Sequence, residues 1–329
     1  MRAQSLAMEL LPQGRREGHE WRCGSLSGEE GKSLAVHLTS TRAGVWSDFA
    51  SGEAGDALDL VAAVKCGGDM KTAIAWARAW LGQPDGPAPA GNRQRPAPAA
   101  EDDDQAARRG KALALFLAAP AALAGSPAVT YLALRGIDLA ELGRAPRALR
   151  CHPAAWCSEV QRALPAMLAA ITNGQGQHIA THRTWLACDD AGRWTKAPLR
   201  DAKKTFGSYP GGFIPLQCGA SDKPLRDTPN GETVAIAEGI ETALSVALAC
   251  PELRVLSAVS LGNMARIVLP VAVRTVILCA DNDGPNNASA ARGLAEAVAK
   301  FTSEGRQVRV ARPPIGKDFN DTLRAEFPA

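Results

Sequence analysis

The clearest hydrophobic pattern lies in the last hundred residues, where short apolar runs alternate with amphipathic stretches. TVAIA (233–237), residues 256–259, TVILCA (275–280) and residues 307–311 read as buried strands. Residues 240–249 and 286–301 between them carry helical patterning. Strands that alternate with helices predict a parallel sheet covered on both faces, an α/β fold.

Upstream the pattern is weaker. Residues 33–39 and 45–49 read as short strands joined by a turn around 42–44, and helices follow at 56–65 and 69–81 with Gly67-Gly68 as the break. Residues 105–124 are Ala/Leu-rich and predict a helix, and TYLALRGI (130–137) predicts one ending at Gly136. Alternation over 178–186, then the turn 189–192, predicts an antiparallel hairpin running on to Trp194. The rest of 165–216 has no decisive period.

Composition divides the 329 residues further. Residues 83–104 hold five prolines, two glycines and an acidic run, which cannot bury apolar surface and reads as a linker. The expected organisation is therefore a small module (1–82), the linker (83–104), a mixed α+β segment (105–230) and the α/β unit (231–329). Charge sharpens this. The net charge is +3, yet residues 105–230 alone carry 16 basic and 8 acidic side chains. Such a field attracts polyanions and supplies the salt-dependent part of nucleic-acid affinity. Eight scattered cysteines with no CxxC pair read as free thiols. No run is apolar enough to span a bilayer, and no signal sequence is visible, so a cytoplasmic protein without membrane contact is expected.

The candidate chemistry sits on the strand ends. Ligands of open parallel sheets bind at the carboxyl ends of the strands. Glu238 follows the first strand, Asp281 and Asp283 follow the third, and Asp318 with Asp321 follows the fourth. Each acid alone has an ordinary structural reading as a turn residue or helix cap. Together they suit a hard cation, because Mg²⁺ (or Mn²⁺) takes oxygen ligands and is completed by substrate phosphates. Cys151, His152, Cys157, His178, His182 and Cys188 lie close in sequence, but their spacing fits no standard zinc motif.

These segments carry a resemblance. EGIETALS (238–245), CADNDGPN (279–286) and GKDFNDTL (316–323) resemble the signature segments of the Toprim domain, shared by bacterial DNA primases, topoisomerases and some nucleases. SLGNM (260–264) stands where primases carry a glycine-containing strand-to-helix turn. The resemblance implies that Glu238 is the general acid/base or metal-linked glutamate, that Asp281 and Asp283 are metal ligands, and that Asp318 is a further acid near the metal. YLALRGI, LPAMLAAI, HRTWL, DDAGRWTKAPL and KKTFGSYPGGFIPL (within 125–218) resemble the N-terminal part of the polymerase core in primases of phages, plasmids and integrated elements. It agrees with the basic surplus, and Arg183, Lys196, Lys203, Lys204 and Lys317 become the candidates for holding template or nucleotide phosphates.

The N-terminal module resembles the primase zinc ribbon in degenerate form. FASGEAGDALDLV (49–61) is similar to the stretch that follows the second ligand pair, and that register puts the four ligand positions on Cys23, Leu26, Asp48 and Ser51. Only Cys23 is an ordinary zinc ligand, so zinc is not expected. Apolar packing of Trp21, Val36, Trp46 and Phe49 is expected to hold the module instead, and its aromatics remain candidates for touching single-stranded DNA.

The expectation is a primase-like enzyme that binds a single-stranded DNA template and joins ribonucleoside triphosphates with Mg²⁺, with any replicative helicase supplied as a separate chain. A Toprim nuclease would use the same acids with water as attacker. A non-catalytic DNA-binding replication accessory would use the fold only for docking. A topoisomerase is not expected, since the only tyrosines are Tyr131 and Tyr209.

Overall fold

The computed structural model describes residues 2–39, 43–48, 53–82, 103–284 and 287–326. They form two compact units, Met1–Pro98 and Ala99–Ala329. The division falls inside the expected linker, of which residues 83–102 lie outside the described set, as do Phe49 and Ser51.

The first unit contains α1 (Arg2–Leu10), β1 (Arg15–Glu17), β2 (Glu20–Cys23), β3 (Leu34–His37), β4 (Trp46–Asp48), β5 (Ala54–Gly55), α2 (Ala57–Lys65) and α3 (Met70–Trp80). The five strands form an antiparallel meander in chain order. Trp21, Val36 and Trp46 lie directly opposite one another across β2, β3 and β4, and all three are buried. Such cross-strand apolar contacts are the main stabilising unit of a sheet this small. Cys23 and Asp48 flank Leu34 in the next register position. The Cys23 thiol donates to the Ser25 carbonyl at 3.2 Å, and burial pushes its pKa up to about 11. Asp56 starts α2 with a capping box, accepting from Leu58 and Asp59 while Asp59 accepts from its own N–H.

The second unit opens with α4 (Asp103–Ala118) and α5 (Pro127–Ala133). The expected helix over 105–124 stops early because Pro120 lacks a donor and disfavours helical backbone at the residue before it. Five strands follow: β6 (Leu149–Cys157), β7 (Arg162–Thr172), β8 (His178–Cys188), β9 (Trp194–Lys196) and β10 (Lys203–Gly207). They form an antiparallel sheet in the order β10-β8-β7-β6, with β9 also paired to β8.

The remainder is β11 (Ile214–Cys218), β12 (Glu232–Ala237), α6 (Ile240–Ala249), β13 (Arg254–Ser257), α7 (Leu261–Met264), β14 (Val273–Cys279), α8 (Ala288–Ser303), β15 (Gln307–Ala311) and α9 (Phe319–Glu326). The third sheet has the order β11-β13-β12-β14-β15. Its last four strands are parallel and β11 is an antiparallel edge. The sequence boundary at 230 leaves β11 with the basic segment, yet its partner β13 belongs to the α/β unit.

Both faces of this sheet are covered. Val234, Ile236, Val276 and Leu278 pack on the α8 side with Ala297 and Phe301. Ala235 and Ala237 face the other way, toward α6 and the antiparallel sheet. Every residue of α6 from Ile240 to Ala247 is buried, because the helix is sandwiched between two sheets. Three of those residues, Glu241, Thr242 and Ser245, are polar.

Candidate metal and phosphoryl-transfer site

Strand β12 leads into α6 on one face of the sheet, whereas its neighbour β14 leads into α8 on the other. The two exits diverge, which opens a crevice at the carboxyl ends of adjacent strands. Glu238 lies at one exit and Asp281 at the other, two residues beyond Cys279. The cleft between them has a volume of about 380 Å³ and is lined by Glu238, Asp281, Asp283, Leu261, Asn287 and Arg312, among others.

Local bonding fixes the exit loops. The Asn282 amide donates to the Pro313 and Gly316 carbonyls at 2.9 and 3.1 Å, and its backbone N–H donates to the Lys317 carbonyl at 2.7 Å. Arg312 donates to the Asp281 carbonyl at 2.8 Å. These bonds clamp the loop after β14 to the loop after β15. Asp318 begins α9 and accepts from the Asn320 and Asp321 backbone N–H groups through Oδ1, both at 2.9 Å. The Asp321 carboxylate accepts from the Lys317 N–H at 2.9 Å, so this acid holds the loop rather than facing the cleft. On the other side, Ser257 donates its hydroxyl to the Glu238 carbonyl at 2.8 Å and accepts from Val259 at 3.3 Å. Val259 has φ +71°, which ends β13 two residues before the predicted strand end.

Charge repulsion marks the carboxylates as a group. Burial, then Glu238, Asp318 and Asp283, push Asp281 up to about 6. Burial and then Asp283 raise Glu238, while the Leu261 N–H, Lys203 and Lys317 act in the opposite sense. Lys317 sits 3.4 Å from Asp283, which raises its ammonium. Asp281 Oδ1 is buried and has no hydrogen-bond partner among the described residues. An orphaned, repelled carboxylate oxygen is an environment that a cation would relieve. No three His, Cys, Asp or Glu side chains among the described residues are grouped closely enough to chelate an ion unaided. The donor set therefore fits an ion that keeps waters and phosphate oxygens in its shell, as Mg²⁺ does.

The basic candidates do not share one surface. Neighbouring residues on a strand point to opposite faces, and Lys203 and Lys204 do so on β10. Lys203 donates to Glu241 Oε2 at 2.9 Å, and Lys196 lies 3.5 Å from Oε1. The Tyr131 hydroxyl donates to the same carboxylate at 2.6 Å. Burial alone would raise Glu241, but the two ammonium groups and the phenol outweigh it and hold the carboxyl well below its usual range. Arg183 instead lies over the rings of Trp185 and Phe206, at 4.8 and 5.6 Å, with Nε buried and without a hydrogen-bond partner among the described residues. Lys204, opposite Arg183 in register, reaches Asp201 at 3.8 Å.

Glu241, Tyr131 and Asn282 escaped the sequence reading. A usable signal existed for Glu241 alone, a lone charge inside the otherwise apolar helix IETALSVALA. Asn263 was likewise hidden: its amide bonds Gly211, Gly212 and Ala258 and fixes the turn after β13.

The family described as Toprim domain matches residues 233–329, and a domain of unknown function (DUF7146) matches residues 106–216. No curated protein matches the sequence. Similar solved structures include the Aquifex aeolicus primase (zinc binding and RNA polymerase domains), 14% identical, with a TM-score of 0.41 over 99% of this chain and 80% of that one. A primase domain from Pseudomonas aeruginosa is 17% identical, with a TM-score of 0.43 over 67% and 75%. The primase fragment of the bacteriophage T7 primase-helicase is 16% identical, with a TM-score of 0.38 over 61% and 71%. No helix among the described residues is long and apolar enough to cross a membrane. Residues 233–329 are thus a Toprim domain, with Glu238, Asp281 and Asp283 at the strand ends where its parallel sheet opens.

Proposed function

We propose that the chain is a primase-like nucleotidyltransferase that makes short RNA primers on single-stranded DNA, in the replication of a phage or other mobile element. The observation that carries the reading is the crevice between β12 and β14, where half-buried Asp281, its Oδ1 without a hydrogen-bond partner among the described residues, lies in the field of Glu238, Asp283 and Asp318. Asp281 and Asp283 would hold Mg²⁺ or Mn²⁺, with Glu238 and Asp318 beside them. Such an ion, when bound, neutralises charge on the reacting phosphates.

The reaction is in-line attack of a primer 3′-hydroxyl on the α-phosphate of a ribonucleoside triphosphate. The new O–P bond forms as the bond to the β-phosphate oxygen breaks, and pyrophosphate leaves. Glu238 has its carboxyl raised by burial, which suits it to take the hydroxyl proton. Lys317, next to Asp283, is suited to meet a phosphate oxygen. Lys203 is the member of the upstream basic set whose charge is felt at Glu238. Arg183, Lys196 and Lys204 complete that set, and a replicative helicase is the natural partner.

A nuclease reading competes, with water as the attacker. It is favoured by the pairing of Lys196 and Lys203 with Glu241, which withdraws two cations from the nucleotide-holding set. One assay separates the two. The protein is given single-stranded DNA, labelled ribonucleotides and Mg²⁺ or Mn²⁺, beside an Asp281→Ala control. Short labelled oligomers absent from the control support the primase. Shortened template supports the nuclease, and DNA binding with neither product refutes both.

A further inference from the structure

A second cavity, of about 430 Å³, runs along the edge strand β11 and shares no wall residue with the carboxylate cleft. Its charged lining is four arginines, Arg144, Arg147, Arg226 and Arg254, against one carboxylate, Asp222. Arg254 begins β13, in register with Val234 of β12 and Cys218 of β11. It therefore marks the end of the sheet remote from Glu238, roughly 13 Å down the strand at the usual rise per residue.

Two of the arginines have unused capacity. Arg254 is 2% exposed, and its Nε and Nη2 are taken by Glu232 at 3.3 Å and Ser221 at 3.0 Å. Its Nη1 makes no hydrogen bond among the described residues. A buried guanidinium with a free N–H beside a cavity is a strong donor site for an anion. Arg147 is exposed and has no ion pair or hydrogen bond among the described residues. Arg144 and Arg226 are exposed and paired with Asp222 and Asp227, contacts that exchange readily with solvent and ligand.

The remaining lining mixes Thr172, Asn173 and Gln217 with an apolar wall. Pro146, Pro215, Pro224 and Pro251 line it together with Leu225. An inorganic anion needs no such wall, whereas a planar ring carried on phosphates uses both halves of the lining. The volume lies within the range of small-molecule sites. We propose that this cavity is a second nucleotide site. It takes a free nucleoside polyphosphate, with the phosphates at Arg147 and Arg254 and the base against the proline wall, and it needs no divalent metal.

The test uses the full chain and fluorescent mant-ATP in EDTA. The expected result is saturable binding in the wild type that persists in Asp281→Ala. Arg147→Glu, at an exposed position, is expected to weaken binding at least about tenfold, the usual scale for losing a charge-assisted contact. Asp222→Asn, which removes the carboxylate of the lining at a residue with φ +47° that Asn tolerates, tightens it. Circular dichroism checks the fold of each variant, and unlabelled ATP displaces the probe at lower concentration than tripolyphosphate. The proposal is overturned by absence of binding in EDTA, or by unchanged affinity in Arg147→Glu. It is equally overturned if tripolyphosphate competes as well as ATP, or if a single-stranded oligonucleotide displaces the probe at lower concentration than ATP.

Discussion

His182 lies on β8, is 7% exposed, and has a buried Nδ1 with no hydrogen-bond partner among the described residues. Lys203 of β10, Lys196 of β9, Arg183 of its own strand and Glu241 of α6 surround it. Burial, then Lys203, pull its imidazole from 6.5 down to about 3. The folded value lies below the unfolded one, so between these limits the unfolded chain carries a proton that the folded chain refuses. Stability is therefore complete above about pH 6.5 and falls as pH drops, by about 1.4 kcal/mol per unit for one proton. From pH 7 to pH 5 the loss is about 2 kcal/mol, or about thirtyfold in the opening equilibrium. Hydrogen exchange of the β7 and β8 amides, corrected for intrinsic rates, reads this directly at the two pH values. His182→Leu removes the titration, so the wild type should lose about 2 kcal/mol more protection than the variant. His178, also lowered by burial, has the same sign but is present in both proteins and cancels. Identical pH dependence in the two proteins would show that His182 titrates alike in the folded and unfolded chain, and would refute the reasoning.

The other predictions concern the two groups of carboxylates. Glu241→Gln leaves the Lys196 and Lys203 ammonium groups half-buried without their counter-charge, and should destabilise the second unit by about 3–5 kcal/mol in urea. A loss below about 1 kcal/mol would mean that the pairs are solvated. Asp281→Asn should abolish product formation yet raise the melting temperature in EDTA at pH 7. A carboxyl raised to about 6 costs stability once ionised, by about 2–3 kcal/mol, and asparagine removes that cost. A lowered melting temperature contradicts the repulsion. Gly316→Ala places a Cβ against the Asp321 side chain at φ +77°, so the loop that carries Lys317 and Asp318 must shift. Activity should fall sharply while far-UV circular dichroism stays unchanged, and full activity would show that the loop is free to relax.

The α/β unit was legible from sequence because a parallel strand buried on both faces must be apolar throughout. TVAIA and TVILCA satisfy that rule, and α6 and β15 begin and end where the pattern placed them. Boundaries slipped where single atoms decide them. β13 ends at Ser257 because Val259 turns to positive φ, and α8 starts at Ala288 because Asn287 caps it through Ala290. Strand β7 gave no period because LPAMLAAI is buried on both faces, which erases the alternation that a half-exposed strand shows.

The candidate acids follow the same division. Sequence alone located Glu238, Asp281, Asp283 and Asp318, since each directly follows an apolar strand or opens a helix, and such ends are fixed by local pattern. It could not rank them. Only the tertiary structure gives Asp281 its buried, unpartnered oxygen, turns Asp321 into a loop clamp, and pairs Lys203 with Glu241 across 38 residues of chain. The physical reason is range. Strand and helix formation depend on neighbours a few residues away, whereas desolvation and Coulomb fields depend on what distant segments bring within a few ångströms. The basic segment shows this most plainly, since its surplus of charge could be counted from the sequence. That Lys203 faces a buried carboxylate while Lys204 faces the opposite side was settled by the sheet.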